Sequence, residues 1–241
     1  MNFPVPPVVV GAVGGSGTRV VGGWLREAGV QLGGPANQAG DALRLRPLFL
    51  SHVVPYWREA LDADAFRRDL GRLLADHRRS MDPSRPWGWK NPGSLYLLPL
   101  LDRALPGMRF IHVVRHGLDM ALSDNRNPLR KYGDAVVGSG WRDLPPPLAA
   151  ARLWARANAR AADYGRAMGR RYHRLRYEDL CDDPGRVFGE LAAFLDLPAP
   201  AGDWDALVRP APPRRHALDP ALRRRIEGEI GPVLERFGYR C

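Results

Sequence analysis

The sequence has only two cysteines, Cys181 and Cys241, and no long apolar run. Two cysteines are too few for a disulfide framework, so we expect a reducing, cytoplasmic setting. No stretch approaches the roughly 20 apolar residues of a membrane span, and the first apolar stretch lacks the basic segment that precedes it in a signal peptide. Clusters of Cys, His and carboxylate residues with metal-ligand spacing are missing as well. These absences predict a protein that binds neither a membrane nor a metal.

Lysine is the other scarce residue. Among 36 basic residues only Lys90 and Lys131 are lysines, in a chain whose net charge is +10. A lysine offers a compact point charge or a proton donor that arginine does not, so both positions are of interest. The positive charge favours an anionic partner. No helix-turn-helix, zinc-ligand spacing or stacking motif accompanies it, which predicts a small polyanionic ligand and no nucleic acid.

The order of predicted elements indicates the fold class. At 241 residues, with 45% hydrophobic residues, we expect one domain over residues 1–241. Short apolar strands alternate with helical patterns, which predicts a P-loop-like, three-layer α/β/α fold with a central parallel sheet. Residues 126–147 contain Trp141 and three consecutive prolines and are predicted to be irregular, as a lid or an acceptor loop.

The first motif is an apolar strand that runs into a glycine-rich turn. Val8–Val10 are followed by Gly14, Gly15, Ser16, Gly17 and Thr18 and then by Arg19 in a predicted helix. Glycines allow a tight turn, and the exposed backbone N–H groups of such a helix start bind phosphate. Taken alone, the pattern is also compatible with a purely structural turn.

The second motif has the same strand-to-helix form. Arg115 ends the predicted strand Phe110–Val114, and Ser123 lies eight residues further on. A guanidinium and a hydroxyl at this spacing can bind a second anion. The alternatives are a surface ion pair for Arg115 and a solvated position for Ser123. One ligand with two separate phosphate groups would fit both motifs.

With these two motifs, Lys90-Asn91-Pro92 and the segment Arg176–Leu180 complete a resemblance. In order and spacing, residues 7–198 resemble the sulfotransferases that use 3′-phosphoadenosine 5′-phosphosulfate (PAPS), in particular the tyrosylprotein sulfotransferases and their bacterial relatives. The resemblance implies an enzyme that moves a sulfuryl group, in line and without a metal, from PAPS to an acceptor hydroxyl or amine. The spent product would be 3′,5′-adenosine bisphosphate (PAP).

The resemblance also assigns roles in cofactor binding. It implies that the loop from Gly14 to Arg19 binds the 5′-phosphosulfate and that Arg115 and Ser123 bind the 3′-phosphate. A late basic loop adds Arg214 and Arg215. Family members often carry a basic residue where this chain has Gly15, so the resemblance makes Arg19, one helical turn further on, the substitute.

Catalytic roles follow from the same resemblance. Lys90 would stabilise the leaving oxygen, although Asn91 stands where the family has an aspartate. Asp41 corresponds to the general base, since Arg44 lies three residues after it; it is equally well placed to cap a helix that begins at Ala42. The alternative base is His52, which is otherwise an ordinary pocket or core histidine. His112 and His116 flank the cofactor arginine and are weaker candidates.

The acceptor and two rival functions remain open. Phe49, Tyr56, Trp57 and Trp141 favour an apolar or aromatic pocket and hence a small-molecule acceptor, while a peptide tyrosine or a carbohydrate stays possible. A P-loop phosphotransferase or kinase would need a lysine in the glycine-rich loop, which this loop lacks. The other rival is a nucleotide-binding protein without catalysis. The sequence does not indicate an oligomeric state.

Overall fold

A computed structural model of the chain describes residues 3–200, 202, 204, 208 and 217–240. Its centre is a sheet of four parallel strands in the order β2-β1-β3-β4. The strands are β1 (Val8–Ala12), β2 (Gly88–Lys90), β3 (Arg109–Val114) and β4 (Tyr172–Arg176). The predicted parallel sheet is therefore confirmed.

Helices follow and separate the strands. They are α1 (Thr18–Glu27), α2 (Arg46–Trp57), α3 (Ala63–Arg78), α4 (Leu98–Ala104), α5 (Gly117–Ala121), α6 (Asn127–Val136), α7 (Pro146–Met168), α8 (Tyr177–Asp182), α9 (Pro184–Leu195) and α10 (Pro220–Arg236). Short 3-10 helices cover Pro92–Leu97, Ser139–Asp143 and Gly169–Arg171. No helix in these described ranges is long and apolar enough to span a membrane.

Apolar side chains alternate along β1 and bury both faces of the sheet. Val8 and Val10 belong to a core shared with α1, α8 and α9, whereas Val9 belongs to a larger core formed with the remaining helices. In the smaller core, the rings of Trp24 and Phe188 stack with centroids 5.3 Å apart and join α1 to α9. Because each face is covered by helices, the predicted three-layer α/β/α arrangement is confirmed.

The strand order places the ends of three strands at one rim. From β1 the chain crosses to β2 on one side, and β3 then pairs with β1 on the other side. Ligands of open parallel sheets bind at such a reversal, beyond the carboxyl ends of the strands. The residues after β1, β2 and β3 are the three sequence motifs, so the topology brings all of them to this rim.

The prediction that residues 126–147 are irregular is wrong. This segment contains α6, a 3-10 helix and the start of α7. Leu129, Tyr132 and Val136 lie on one helical face and are buried, and Pro128 occupies the first turn, where a proline is tolerated. Trp141 Nε1 donates to Asp134 Oδ1 and fixes the 3-10 helix against α6.

Substitution of Gly88 in β2 tests the close pairing of β1 with β2, which places Lys90 at the rim. A Cβ on Gly88 would lie 1.8 Å from the carbonyl oxygen of Val8, which belongs to the backbone of the neighbouring strand. We therefore expect Gly88→Ala to lower the free energy of unfolding by at least about 2 kcal/mol in urea denaturation.

Gly228→Ala is the matched control for that measurement. Gly228 lies in α10, and nothing lies within 4 Å of an added Cβ. The same change there should raise the free energy of unfolding by about 0.5 to 1 kcal/mol, because glycine weakens helices. Equal effects of the two substitutions would contradict the described contact between β1 and β2.

Candidate active site

The glycine-rich turn ends where α1 begins. Gly17 is the N-cap residue with a φ of 88°, and no side chain caps the helix. The first turn of α1 has no acidic side chain, so its backbone N–H groups are free of a carboxylate partner from this helix. Ser16 Oγ donates to the carbonyl of Val13 and closes the turn. An uncapped helix start of this kind binds anions.

The structure brings the two predicted halves of the anion site together. A Cβ on Gly15 would lie 3.2 Å from Ser123 Oγ, which places the second motif directly against the first turn. The ring of Tyr177 covers Gly17 and also lies 4.9 Å below the guanidinium of Arg115. Within the described part of the chain Arg115 has no ion-pair partner, so its N–H groups are available to a ligand.

Lys90 forms a buried ion pair with Asp41. The side chain of Lys90 is 1% exposed, and its Nζ lies 2.5 Å from Asp41 Oδ1 and donates to the carbonyl of Ala39. Burial lowers the pKa of Lys90, and the hydrogen bond and charge of Asp41 oppose that shift. Two of the residues with predicted catalytic roles, Lys90 and Asp41, therefore touch.

A turn organised by Asn37 holds Asp41 in place. Asn37 Oδ1 accepts from the N–H groups of Ala39 and Asp41, and its Nδ2 donates to Asp41 Oδ2. The prediction that Asp41 caps a helix beginning at Ala42 is wrong. Ala42 donates its N–H to the carbonyl of Lys90 in an extended segment, and α2 begins only at Arg46.

The stem of Lys90 packs on α1 next to two arginines. A Cβ on Gly22 would be 3.5 Å from Lys90 Cε, so the lysine crosses the helix at this glycine. The positive charges of Arg26 and Arg19 each contribute to lowering the pKa of Lys90. Residues 19, 22 and 26 share a helix face. Sequence reasoning missed Arg26, although its spacing of seven from Arg19 indicates the shared face.

The alternative base, His52, does not line this site. Its Nε2 lies 3.0 Å from Asp69 Oδ2, and its ring meets the ring of Phe66, so it packs between α2 and α3. Arg44, the basic residue three positions after Asp41, pairs with Asp76.

The remaining sequence candidates lie elsewhere or outside the description. Burial lowers the pKa of His112 to about 4, and its ring contacts Tyr172 and Asn158. His116 caps α5. Arg214 and Arg215 lie outside the described residues. Among residues 3–200 and 217–240, no group of three or more His, Cys, Asp or Glu residues could hold a metal ion.

A pocket of about 300 Å³ opens beside the glycine-rich turn. It is lined by Gly14, Asn37, Asp41, Leu43, Arg46, Phe49, Leu50, Asn91, Pro92, Gly93, Tyr96, Asn125, Asn127, Pro128, Lys131 and Tyr132. Of these lining residues, Asp41 alone has a carboxylate and none is a histidine. The volume is at the lower end of small-molecule sites.

The aromatic lining of the pocket differs in part from the sequence prediction. Phe49 lines it as expected, but its partners are Tyr96 and Tyr132, whose ring centroids are 4.6 Å apart. Trp57 instead donates to the carbonyl of Tyr96 from outside, and Trp141 packs on Gly133. The pocket is thus apolar on one side and carries Asp41 on the other.

Solved structures share this fold over nearly the whole chain. The sulfotransferase domain of the Synechococcus PCC 7002 olefin synthase matches with a TM-score of 0.59 and 20% identity, covering 100% of this chain and 97% of that one. A sulfotransferase from Alicyclobacillus acidocaldarius matches with a TM-score of 0.59 and 16% identity, covering 96% and 93%. One from Mycobacterium avium matches with a TM-score of 0.57 and 15% identity, covering 98% and 78%. The fold is that of the sulfotransferases.

The family follows from the sequence itself. The model of the sulfotransferase family matches residues 31–201, which is more than half of the chain, and so the chain belongs to that family. The matched segment contains Asp41, Lys90, Arg115 and Ser123, whereas the glycine-rich turn precedes it. No curated protein sequence matches this chain significantly.

The titration of the two lysines tests the electrostatics of the site. Burial lowers the pKa of Lys90 and of Lys131, and Asp41 raises both. Because a carboxylate favours the charged ammonium, Asp41→Asn should lower both pKa values further. Both pKa values can be measured by carbon NMR of protein labelled at the lysine Cε, because the chain has only two lysines and their signals can be told apart.

Asp134→Asn serves as the control for this titration. Asp134 is bound by Arg142 and lies outside the pocket, so its loss should leave both lysine titrations in place. A Lys90 pKa that stays constant or rises in Asp41→Asn would show that the ion pair does not exist in solution.

Proposed function

We propose that this sulfotransferase uses PAPS as donor and transfers its sulfuryl group to the hydroxyl or amine of a small acceptor bound in the pocket beside Gly14. The observation that carries the proposal is the position of the Lys90–Asp41 pair. It lies against α1, the helix that starts at the glycine-rich turn, and Asp41 also lines the pocket. Donor and acceptor would thus meet at one ion pair.

The residues at the rim fit a nucleotide with two phosphate positions. The uncapped start of α1 offers backbone N–H groups to a 5′-phosphosulfate, and Arg115 with Ser123 offers a guanidinium and a hydroxyl to a 3′-phosphate. Ser123 and Arg115 both lie near the glycine-rich turn. Ser123 is next to Gly15, and Arg115 stacks on the ring of Tyr177, which covers Gly17. When bound, PAPS supplies an activated sulfuryl group whose bond to the phosphate breaks in the reaction.

Lys90 would act on the leaving side. Its ammonium is buried and held by Asp41, so it is preorganised and needs little reorientation to donate a hydrogen bond to the oxygen that bridges sulfur and phosphorus. Arg19 and Arg26 flank it on α1 and add positive charge where the leaving phosphate develops negative charge. These arginines replace the basic residue that the family often has at the position of Gly15.

Asp41 would act on the acceptor side as the general base. It presents its carboxylate to the pocket, and the side chains of Lys90 and Asn37 fix its orientation. As the acceptor oxygen forms its bond to sulfur, its proton would pass to Asp41.

Binding of the spent nucleotide tests the donor assignment. We expect PAP to bind more tightly than ATP, and Arg115→Ala to weaken PAP binding by about 1.5 to 3 kcal/mol in calorimetry, because charge-assisted contacts to a phosphate are lost. Arg170→Ala removes an exposed arginine in the 3-10 helix that precedes β4, and it should leave the affinity intact. A preference for ATP, or equal PAP affinity in Arg115→Ala, would contradict the assignment.

Turnover tests the role of Lys90. Lys90→Met keeps the aliphatic stem that packs on Gly22 but removes the charge, so we expect turnover with labelled PAPS to fall by about 10² or more, a larger factor than the loss of PAP affinity. Thermal unfolding of the variant separates a folding defect from a catalytic one. Turnover within a few-fold of the original protein would show that Lys90 has another role.

A further inference from the structure

Two positive side chains line the acceptor pocket and have no ion-pair partner among the residues that the structure describes. Arg46 begins α2 and Lys131 lies in α6, so the charges come from two different helices. Two neighbouring basic residues are paired or lie outside the pocket: Arg44, just before α2, binds Asp76, and Arg130 in α6 does not line the pocket. The pocket therefore contains unpaired positive charge.

These two charges repel each other. The pKa of Lys131 is lowered by burial and by the charge of Arg46, while Asp41 raises it. Asp41, the one carboxylate among the lining residues, is already bound by Lys90. Counting Arg46, Lys131 and Lys90 against Asp41 leaves an excess of positive charge around the pocket, which a neutral acceptor would not relieve.

The hydroxyl of Tyr96 is a third polar group without a partner. Tyr96 lines the pocket and is 2% exposed, and no described residue accepts or donates a hydrogen bond to its buried oxygen. Buried polar atoms are normally hydrogen-bonded, so the Tyr96 hydroxyl retains an unused donor in a residue that lines the pocket. Its pKa is raised well above the ordinary value by burial, so the hydroxyl stays a donor.

The mouth of the pocket also carries apolar surface. Leu50 is 48% exposed and lies one helical turn after Arg46 on α2. Together with Phe49 and Tyr132 it offers contact to an aromatic or aliphatic body. A ligand with an apolar body and a negative charge would cover this surface and neutralise the excess positive charge.

Resting on the function proposed above, we infer that the acceptor is a small hydroxyl compound with an apolar body and an oxyanion such as a carboxylate. Arg46 and Lys131 bind the oxyanion at the pocket mouth, and the hydroxyl of Tyr96 donates to an oxygen of the same molecule. The hydroxyl to be sulfated then faces Asp41. The two cations select against neutral alcohols and phenols of the same shape.

Matched acid and amide pairs test this inference by binding. The probes are desaminotyrosine with its primary amide and para-(hydroxymethyl)benzoate with its primary amide, titrated by NMR into protein saturated with PAP. We expect the acid of at least one pair to bind about ten-fold more tightly than its amide, since a carboxylate forms charge-assisted hydrogen bonds that a neutral amide does not.

Charge-matched variants assign that preference to residues. Arg46→Gln and Lys131→Gln should each reduce the preference for the acid several-fold, while Arg58→Gln in the C-cap of α2 and Arg130→Gln in α6 remove the same charge outside the pocket and should keep it. Tyr96→Phe should weaken binding of the acid without lowering the thermal unfolding temperature, because the hydroxyl has no described partner in the protein to lose.

The outcomes separate this inference from the proposed function. Equal binding of acid and amide, binding of neither acid, or a preference that survives in both pocket variants overturns the inference. If PAP binds and a neutral acceptor is sulfated as efficiently as an acid, the inference is overturned while the proposed function stands. Failure of PAP to bind overturns the proposed function itself.

Discussion

The buried ion pair between Lys90 and Asp41 connects all parts of the site. It joins the end of β2 to the turn that Asn37 organises, and the lysine stem rests on α1 at Gly22. A charge with 1% exposure is stable only with a partner, because desolvation of an isolated ammonium is costly. The pair is thus required by the packing of β2 against α1, and in the mechanism proposed above it would provide a proton donor for the leaving group and a base for the acceptor.

The rim depends on a second arrangement around Tyr177. Its ring fills the space above Gly17 that a side chain would occupy, and it supports the guanidinium of Arg115. The next residue, Glu178, accepts from the N–H of His116 and from the hydroxyl of Tyr239. The start of α8 therefore fixes the distance between the two parts of the proposed donor site and attaches Tyr239 to the rim.

The parts of the site that were predictable from sequence are local in the chain. In a parallel sheet, the residues that directly follow each strand lie at the same rim. The sequence therefore predicted both the sheet and the proximity of the Gly15 and Ser123 motifs. Two local assignments failed where tertiary packing overrode composition. The prolines of residues 126–147 indicated a loop, but Pro128 lies in α6 and Pro146 begins α7, and Asp41 looked like a helix cap but pairs with Lys90.

Other features depend on contacts between distant segments and had no signal in one sequence. The lone hydroxyl of Tyr96 and the convergence of Arg46 with Lys131 arise only when α2, α6 and the 3-10 helix over Pro92–Leu97 are packed together. The scarcity of lysine was the one hint, since Lys90 is buried in the site and Lys131 lines the pocket.

A crystal structure with bound PAP tests the central claim most directly. The account predicts the 5′-phosphate on the backbone N–H groups from Gly15 to Thr18 with Lys90 Nζ within hydrogen-bond distance, and the 3′-phosphate on Arg115 and Ser123. A nucleotide bound away from this rim, or Lys90 still bound only to Asp41 and Ala39 with no contact to the 5′-phosphate, would contradict it.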